Sequence, residues 1–187
     1  MKLAYADPPY LGCGKKHYGD RHDSAGDCDS PEWHRALVAR LCAEFPDGWA
    51  MSLSAPSLRT ILPMCPVEVR VGAWVKPFAA FKVNVNPAYC WEPVIWRGGR
   101  KRGRDEPTTR DFCQESITLR RGFTGAKPEG FCFWVFDLLG MEPGDEFHDL
   151  FPGSGAVGRA WEEYQRRVSF GADECAEQPD LFTDEVA

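Results

Sequence analysis

An open, mostly parallel α/β sheet with helices on both faces is the fold the sequence predicts, on three observations. Short apolar runs alternate along the chain with segments of helical periodicity, the pattern of strand–helix units stacked into one sheet. Two of those runs stop abruptly at unusual loops, Asp7-Pro8-Pro9-Tyr10 and Phe151-Pro152-Gly153-Ser154-Gly155. With 43% apolar and 13% aromatic residues in a chain of 187, there is enough material for the core of a single domain.

Taken in order, Leu3 to Ala6 reads as a buried strand, because a short apolar run ended by prolines cannot continue as a helix. Residues 11–30 are rich in Gly, His and Asp and read as an exposed loop. Ser30-Pro31-Glu32 opens a helix, with serine as N-cap and proline at the first position. Trp33, Leu37, Leu41 and Phe45 then fall at helical spacing. Trp49–Ser54 is a second strand and Pro56–Leu62 a short helix; Val67–Val75 and Tyr89–Trp96 are further strands. From Arg97 to about Gly125 the composition predicts a mobile basic loop. A strongly apolar helix follows from Lys127, stopped by Gly140. Glu146–Leu150 is a strand, Ala156–Tyr164 a helix and Arg167–Phe170 a last strand. The expected domain is residues 1–174. The tail beyond carries only acidic charge, with six acids and no bases from Ala172 onward, and is expected to be disordered.

The formal charge of −6 excludes a protein coated in basic surface. A nucleic-acid partner would need a local basic patch, and Arg97, Arg100, Lys101, Arg102 and Arg104 form the candidate. No run of about 18 apolar residues exists, so no membrane span is expected. The start, with Asp at position 7, is not that of a signal peptide. None of the eight cysteines pairs as Cys-x-x-Cys, which fits reduced thiols in a cytoplasmic protein. Cys13, His17, His22 and Cys28 match no common zinc spacing, and no metal is expected there.

Gly153-Ser-Gly155-Ala-Val-Gly158 is a Gly-x-Gly-x-x-Gly turn between a strand and a helix. Such a turn brings backbone close to a ligand and aims free helix amides at an anion. Asp173, twenty positions beyond Gly153, stands where an acid would hold ribose hydroxyls, with Glu174 as the alternative. In a nicotinamide-binding domain this turn comes first; here almost nothing follows it. The rest of the sheet must come from the N-terminal side, which means a permuted order.

In Asp7-Pro8-Pro9-Tyr10 two prolines stiffen the backbone and delete two amide donors. What remains is an acceptor surface with a carboxylate at one end and an aromatic ring at the other. That suits a substrate that donates hydrogen bonds and stacks, such as a base with an exocyclic amino group.

At this point the chain resembles a known family. Asp7-Pro-Pro-Tyr10 after a strand is similar to the catalytic motif of amino-group (N6-adenine or N4-cytosine) DNA methyltransferases. Asp149-Leu-Phe151-Pro-Gly153-Ser-Gly155 resembles their cofactor motif, Ala126-Lys127-Pro128-Glu129 the segment preceding it, and Trp91-Glu92-Pro93-Val94-Ile95 a further family strand. The catalytic motif precedes the cofactor motif, as in the permuted, beta-type members, and the likeness spans roughly residues 3 to 174. Where members often carry a histidine shortly before Lys-Pro, this chain has Phe123. Only residues 97–125 are free to act as a target-recognition region, a reduced one.

The resemblance implies a class I, Rossmann-like fold that uses S-adenosylmethionine (SAM). Asp149, Phe151, Gly153, Ser154, Gly155, Lys127 and Pro128 would surround that cofactor. Asp7, Pro8, Pro9 and Tyr10 would present adenine N6 of DNA to it. N4 of cytosine, adenine in RNA, and a non-catalytic nucleic-acid or clamp-binding module that keeps the fold remain open alternatives. Gln178, Leu181 and Phe182 in the tail are similar to the short peptide with which bacterial proteins dock on the DNA sliding clamp. A bacterial or phage origin is the corresponding expectation.

Overall fold

The computed structural model describes residues 1–15, 23–78, 83–117 and 126–176, with the side chains of 23–25 and 171–176 left aside. Six strands form one sheet: β1 (Lys2–Ala6), β2 (Gly48–Ser52), β3 (Arg70–Val75), β4 (Trp91–Gly98), β5 (Phe112–Gln114) and β6 (Glu146–Asp149). Their spatial order is β5-β3-β4-β2-β1-β6. β1 pairs in parallel with β2 and β6, and β3 with β5, whereas β4 runs antiparallel to both β2 and β3. Five strands therefore point one way and β4 alone points back.

The helices are α1 (Pro31–Glu44), the single turn α2 (Leu58–Ile61), α3 (Glu129–Leu139) and α4 (Ala156–Ala176). Ser30 caps α1 as its sequence predicts, its side chain accepting from the Trp33 amide at 3.1 Å. Gly140 closes α3 in the left-handed region at φ 59°. Side-chain alternation divides the core between the two faces of the sheet. Leu3, Tyr5, Ala50, Val94 and Trp96 pack against α3 and α4; Ala4, Ala6, Trp49, Met51 and Ile95 pack against α1 and α2.

Several expectations change. Arg167–Phe170 is not a strand but part of α4, which runs unbroken to Ala176. Charge spacing explains it: Glu163 pairs with both Arg166 and Arg167 at helical intervals, and Arg167 also reaches Glu129 on α3. Residues 175 and 176, expected to begin a disordered tail, continue the same helix. The supposed basic loop contains an edge strand, β5, and its first residues belong to β4. The segment after β4 is tied down rather than mobile: the Gly99 amide bonds Asp47 O at 2.7 Å and the Arg100 amide bonds Leu139 O at 2.8 Å. Val67 precedes β3, which begins at Arg70, and β4 begins at Trp91 rather than Tyr89. Among the described residues, no helix is long and apolar enough to cross a membrane.

Candidate active site

The two unusual loops meet. β1 and β6 are parallel neighbours with Tyr5 opposite Asp149, and the Leu150 amide bonds Tyr5 O at 3.0 Å, carrying the pairing past the end of β6. The chain then departs from both strands at the same edge, the carboxyl edge where parallel sheets bind ligands. Asp7-Pro8-Pro9-Tyr10 leaves β1 there, and Phe151 to Gly155 leaves β6 beside it.

Around Asp7 the fold assembles charges from four separate elements. Lys127, just before α3, places Nζ 2.9 Å from Asp7 Oδ1 and 3.7 Å from Glu92 Oε2. Glu92 is the second residue of β4 and reaches this edge only because β4 is antiparallel: its start lies where its neighbours end. Lys76, directly after β3, pairs with Glu92 Oε1. The Tyr10 hydroxyl donates to Glu92 Oε2 at 2.7 Å and lies 3.3 Å from Lys127 Nζ. The rings of Trp74 and Phe131 flank Lys127, with centroids 5.3 and 5.6 Å from Nζ.

Burial sets the direction for Asp7 and Tyr10, and neighbouring charges set it for Glu92 and Lys127. It pushes the Asp7 carboxyl up, with Lys127 pulling it back. Burial also disfavours the Glu92 anion, but Lys127 and Lys76 overcome it and hold this carboxyl below its ordinary value. Lys127 is desolvated too, yet Asp7 and Glu92 keep its ammonium protonated. Burial and the charges of Asp7 and Glu92 drive the Tyr10 phenol well up, so it stays neutral.

On the β6 side, Asp149 Oδ1 accepts from the Phe151 amide at 3.2 Å, while Oδ2 is buried without a hydrogen-bond partner. Burial lifts this carboxyl to about 6. Gly153 and Gly155 adopt φ 44° and 70°, the left-handed conformations for which glycine is suited. Gly155 O then accepts the Arg159 amide at 3.1 Å, the first turn of α4. Phe151 is anchored by Trp33 on α1, ring centroids 6.0 Å apart. An unpartnered buried carboxylate oxygen beside a glycine turn and free helix amides fits a zwitterionic amino-acid group. An ammonium would satisfy Asp149 Oδ2, and a carboxylate would meet the α4 amides.

The structure does not bring every expected residue to this crevice. Asp173 lies inside α4, roughly 25 Å along the helix from its start at 1.5 Å per residue, and no strand precedes it to return it to the crevice. The ribose role assigned to it fails for that reason. Arg97 lies about 17 Å along β4 from Glu92, at the opposite edge of the sheet. Arg97 pairs with Glu68, Arg100 with Asp145, and Arg102 donates to Asp137 O and Pro107 O. Lys101 and Arg104 are exposed. Lys127, expected beside a cofactor, grips Asp7. Sequence reasoning missed Glu92 and Lys76 as site residues; the signal available was one carboxylate in the otherwise apolar run Trp91–Trp96. His17, His22, Phe123, Gln178, Leu181 and Phe182 lie outside the described residues, and the described ones hold no cluster fit for a metal.

A six-stranded sheet with one reversed strand, helices on both faces, and an acidic loop beside a glycine turn at its carboxyl edge defines the Rossmann-like class I methyltransferase fold. The order is permuted, the Asp7 strand coming before the glycine-loop strand. No family model matches the chain, and no curated protein matches it. Among solved structures it is similar to the M1.HpyAVI–SAM complex, with a TM-score of 0.57 and 17% identity over 88% of this chain and 79% of that one. M1.HpyAVI itself gives a TM-score of 0.54 and 16% identity, over 88% and 76%. At these identities the likeness is one of fold.

Proposed function

We propose that the chain is a SAM-dependent methyltransferase acting on the exocyclic N6 of adenine in DNA. The observation carrying this reading is the meeting of the Asp7-Pro8-Pro9-Tyr10 loop and the glycine turn at one sheet edge. The fold likeness to a protein crystallised with SAM supports the cofactor, as does the unpartnered Asp149 oxygen. The choice of adenine in DNA rests on the resemblance of the tetrapeptide.

In this reading Asp149 holds the ammonium of SAM, the start of α4 its carboxylate, and Phe151 with the glycine turn lines the methionine end. When bound, SAM supplies an electrophilic methyl group. The protein's task is to make a poor nucleophile reactive, since the amino lone pair of adenine is delocalised into the ring. Asp7 and the Pro8 carbonyl accept the two amino hydrogens, which localises the lone pair and stabilises positive charge as it develops. Neither proline offers an amide that would compete for these acceptors. Tyr10, with its hydroxyl pinned by Glu92 and Lys127, offers a fixed ring for the extruded base to stack on. Holding both reactants in contact supplies much of the acceleration.

The test is to incubate DNA with labelled SAM and digest it to nucleosides. Label is expected in N6-methyldeoxyadenosine. Label in N4-methyldeoxycytidine, label only with RNA, or tight DNA binding without transfer would each reject the reading.

A pH dependence follows from Asp149. Its carboxyl, lifted to about 6, is neutral below that pH and cannot compensate an ammonium. SAM affinity measured by calorimetry is therefore expected to fall up to about tenfold per unit as pH drops below 6. Asp149→Asn should bind weakly at pH 7.5 and lose that dependence. An identical pH profile in the variant would remove Asp149 from the cofactor site.

A further inference from the structure

Asp7 and Glu92 flank one ammonium, but they are not equivalent. Both oxygens of Glu92 are engaged, Oε1 by Lys76 and Oε2 by the Tyr10 hydroxyl. Asp7 is engaged at Oδ1 alone, by Lys127 at 2.9 Å; among the described residues no hydrogen bond reaches Oδ2. Lys127 is enclosed, its side chain 6% exposed, with the ring centroids of Tyr10, Trp74 and Phe131 all within 5.7 Å of Nζ. Trp74 also faces the second ammonium, Lys76, at 4.5 Å. A desolvated ammonium in this cage is compensated by the two carboxylates, and the four charges of Asp7, Glu92, Lys76 and Lys127 sum to zero.

We infer that Lys127 is a positioning residue: clamped between Glu92 and Asp7, its ammonium ties down Asp7 Oδ1 so that Oδ2 is the oxygen presented to the substrate's amino group. The inference rests on the reading of Asp7 as the acceptor, and it replaces the expectation that Lys127 serves the cofactor. A carboxylate without such a tie can rotate and offer either oxygen. A buried one can also take up a proton and become a donor, which is the wrong polarity for an amino group. The clamp answers both problems, since a cation in contact keeps the anion ionised and in place. The aromatic cage and Glu92 give the ammonium no second position.

Removing Lys127 should therefore change how Asp7 titrates before it changes anything at the cofactor. The groups facing Asp7 are Tyr5 on β1, Lys76 after β3, Glu92 on β4, Cys132 on α3, Asp149 on β6, and Tyr10 and Lys127 from the adjoining loops. Lys127 is the cation in contact among them.

The experiment compares wild type, Lys127→Met and Lys127→Arg by three readouts: carbon NMR titration of the Asp7 carboxyl, SAM affinity, and the pH profile of methyl transfer. Lys127→Met is expected to raise the Asp7 pKa by about one unit or more. The acid limb of the rate profile should move upward with it, and kcat should fall on the order of a hundredfold. SAM affinity should stay unchanged, and Lys127→Arg should restore the Asp7 titration. Should Lys127→Met fail to fold, Glu92→Gln gives the opposite sign. It removes a like charge and leaves Lys127 wholly to Asp7, so the Asp7 pKa must fall. An unmoved Asp7 titration in Lys127→Met, a primary loss of SAM affinity, or a rise in Glu92→Gln would each overturn the inference. The NMR titration needs no substrate, so a wild type that transfers no methyl group would defeat the proposed function while the titration still decides the role of Lys127.

Discussion

Asp7→Ala is expected to lower kcat for methyl transfer by about 10²- to 10⁴-fold, with SAM affinity changed no more than a few-fold. The substitution removes the charged acceptor for the amino hydrogens and leaves only the neutral Pro8 carbonyl. It also leaves the caged Lys127 ammonium in place without its 2.9 Å partner, so a cation no longer neutralised by Asp7 stands near the reacting nitrogen. A positive charge there opposes the charge that develops during transfer. Asp7→Asn should lie in between. One oxygen survives, but turning it to the substrate aims the amide NH₂ at the Lys127 ammonium, and turning it to Lys127 aims a donor at a donor. Single-turnover transfer of labelled methyl to DNA measures the first quantity and calorimetry the second. A loss below about tenfold in Asp7→Ala would mean that this carboxylate is not the acceptor.

Phe136→Ala is expected to destabilise the fold by about 3–5 kcal/mol. Phe136 is fully buried on α3, with the rings of Phe147 on β6 and of Trp161 and Tyr164 on α4 each 5.3 Å away. It is the hub that fastens α4 to β6, and the glycine turn is the link between those two elements. The cavity would sit between α3, Phe147 of β6 and the Trp161–Tyr164 turn of α4, where the surrounding rings are too large and too mutually constrained to close it. SAM affinity should therefore fall together with stability, although Phe136 is one layer removed from the crevice. Phe136→Leu, which keeps most of the volume, should recover over half the loss. Urea unfolding with unchanged slope measures the first effect. Full stability in Phe136→Ala would show that the aromatic cluster does not hold α4.

Some of this was legible in the residues because it is local. Ser30-Pro31 signals its own helix start, since a side-chain oxygen, a missing amide and a fixed φ act within one turn. Gly140 marks the end of α3 by the same kind of short-range argument. The wrong strand at Arg167–Phe170 shows the limit of such reading. Val168 and Phe170 favour a strand by composition, but Glu163 and the contact of Arg167 with Glu129 on α3 settle the segment as helix. Asp173 was misplaced as a consequence, because its ribose role required a strand that is not there. The basic segment shows a different limit. Its composition is as read, but Arg97, Arg100 and Arg102 bond Glu68, Asp145 and backbone carbonyls, partners that cannot be guessed before the chain is folded.

By itself the sequence determined the two loops and their chemistry: a proline-stiffened acceptor surface and a glycine turn capping a helix, each a property of a few adjacent residues. Tertiary structure alone decided which distant charges join them. The reversal of β4 carries Glu92 to the carboxyl edge and Arg97 away from it, and sheet order sets Lys76 and Lys127 around Asp7. Strand direction and neighbour order are set by how the apolar faces of the whole chain pack, and no short segment encodes them.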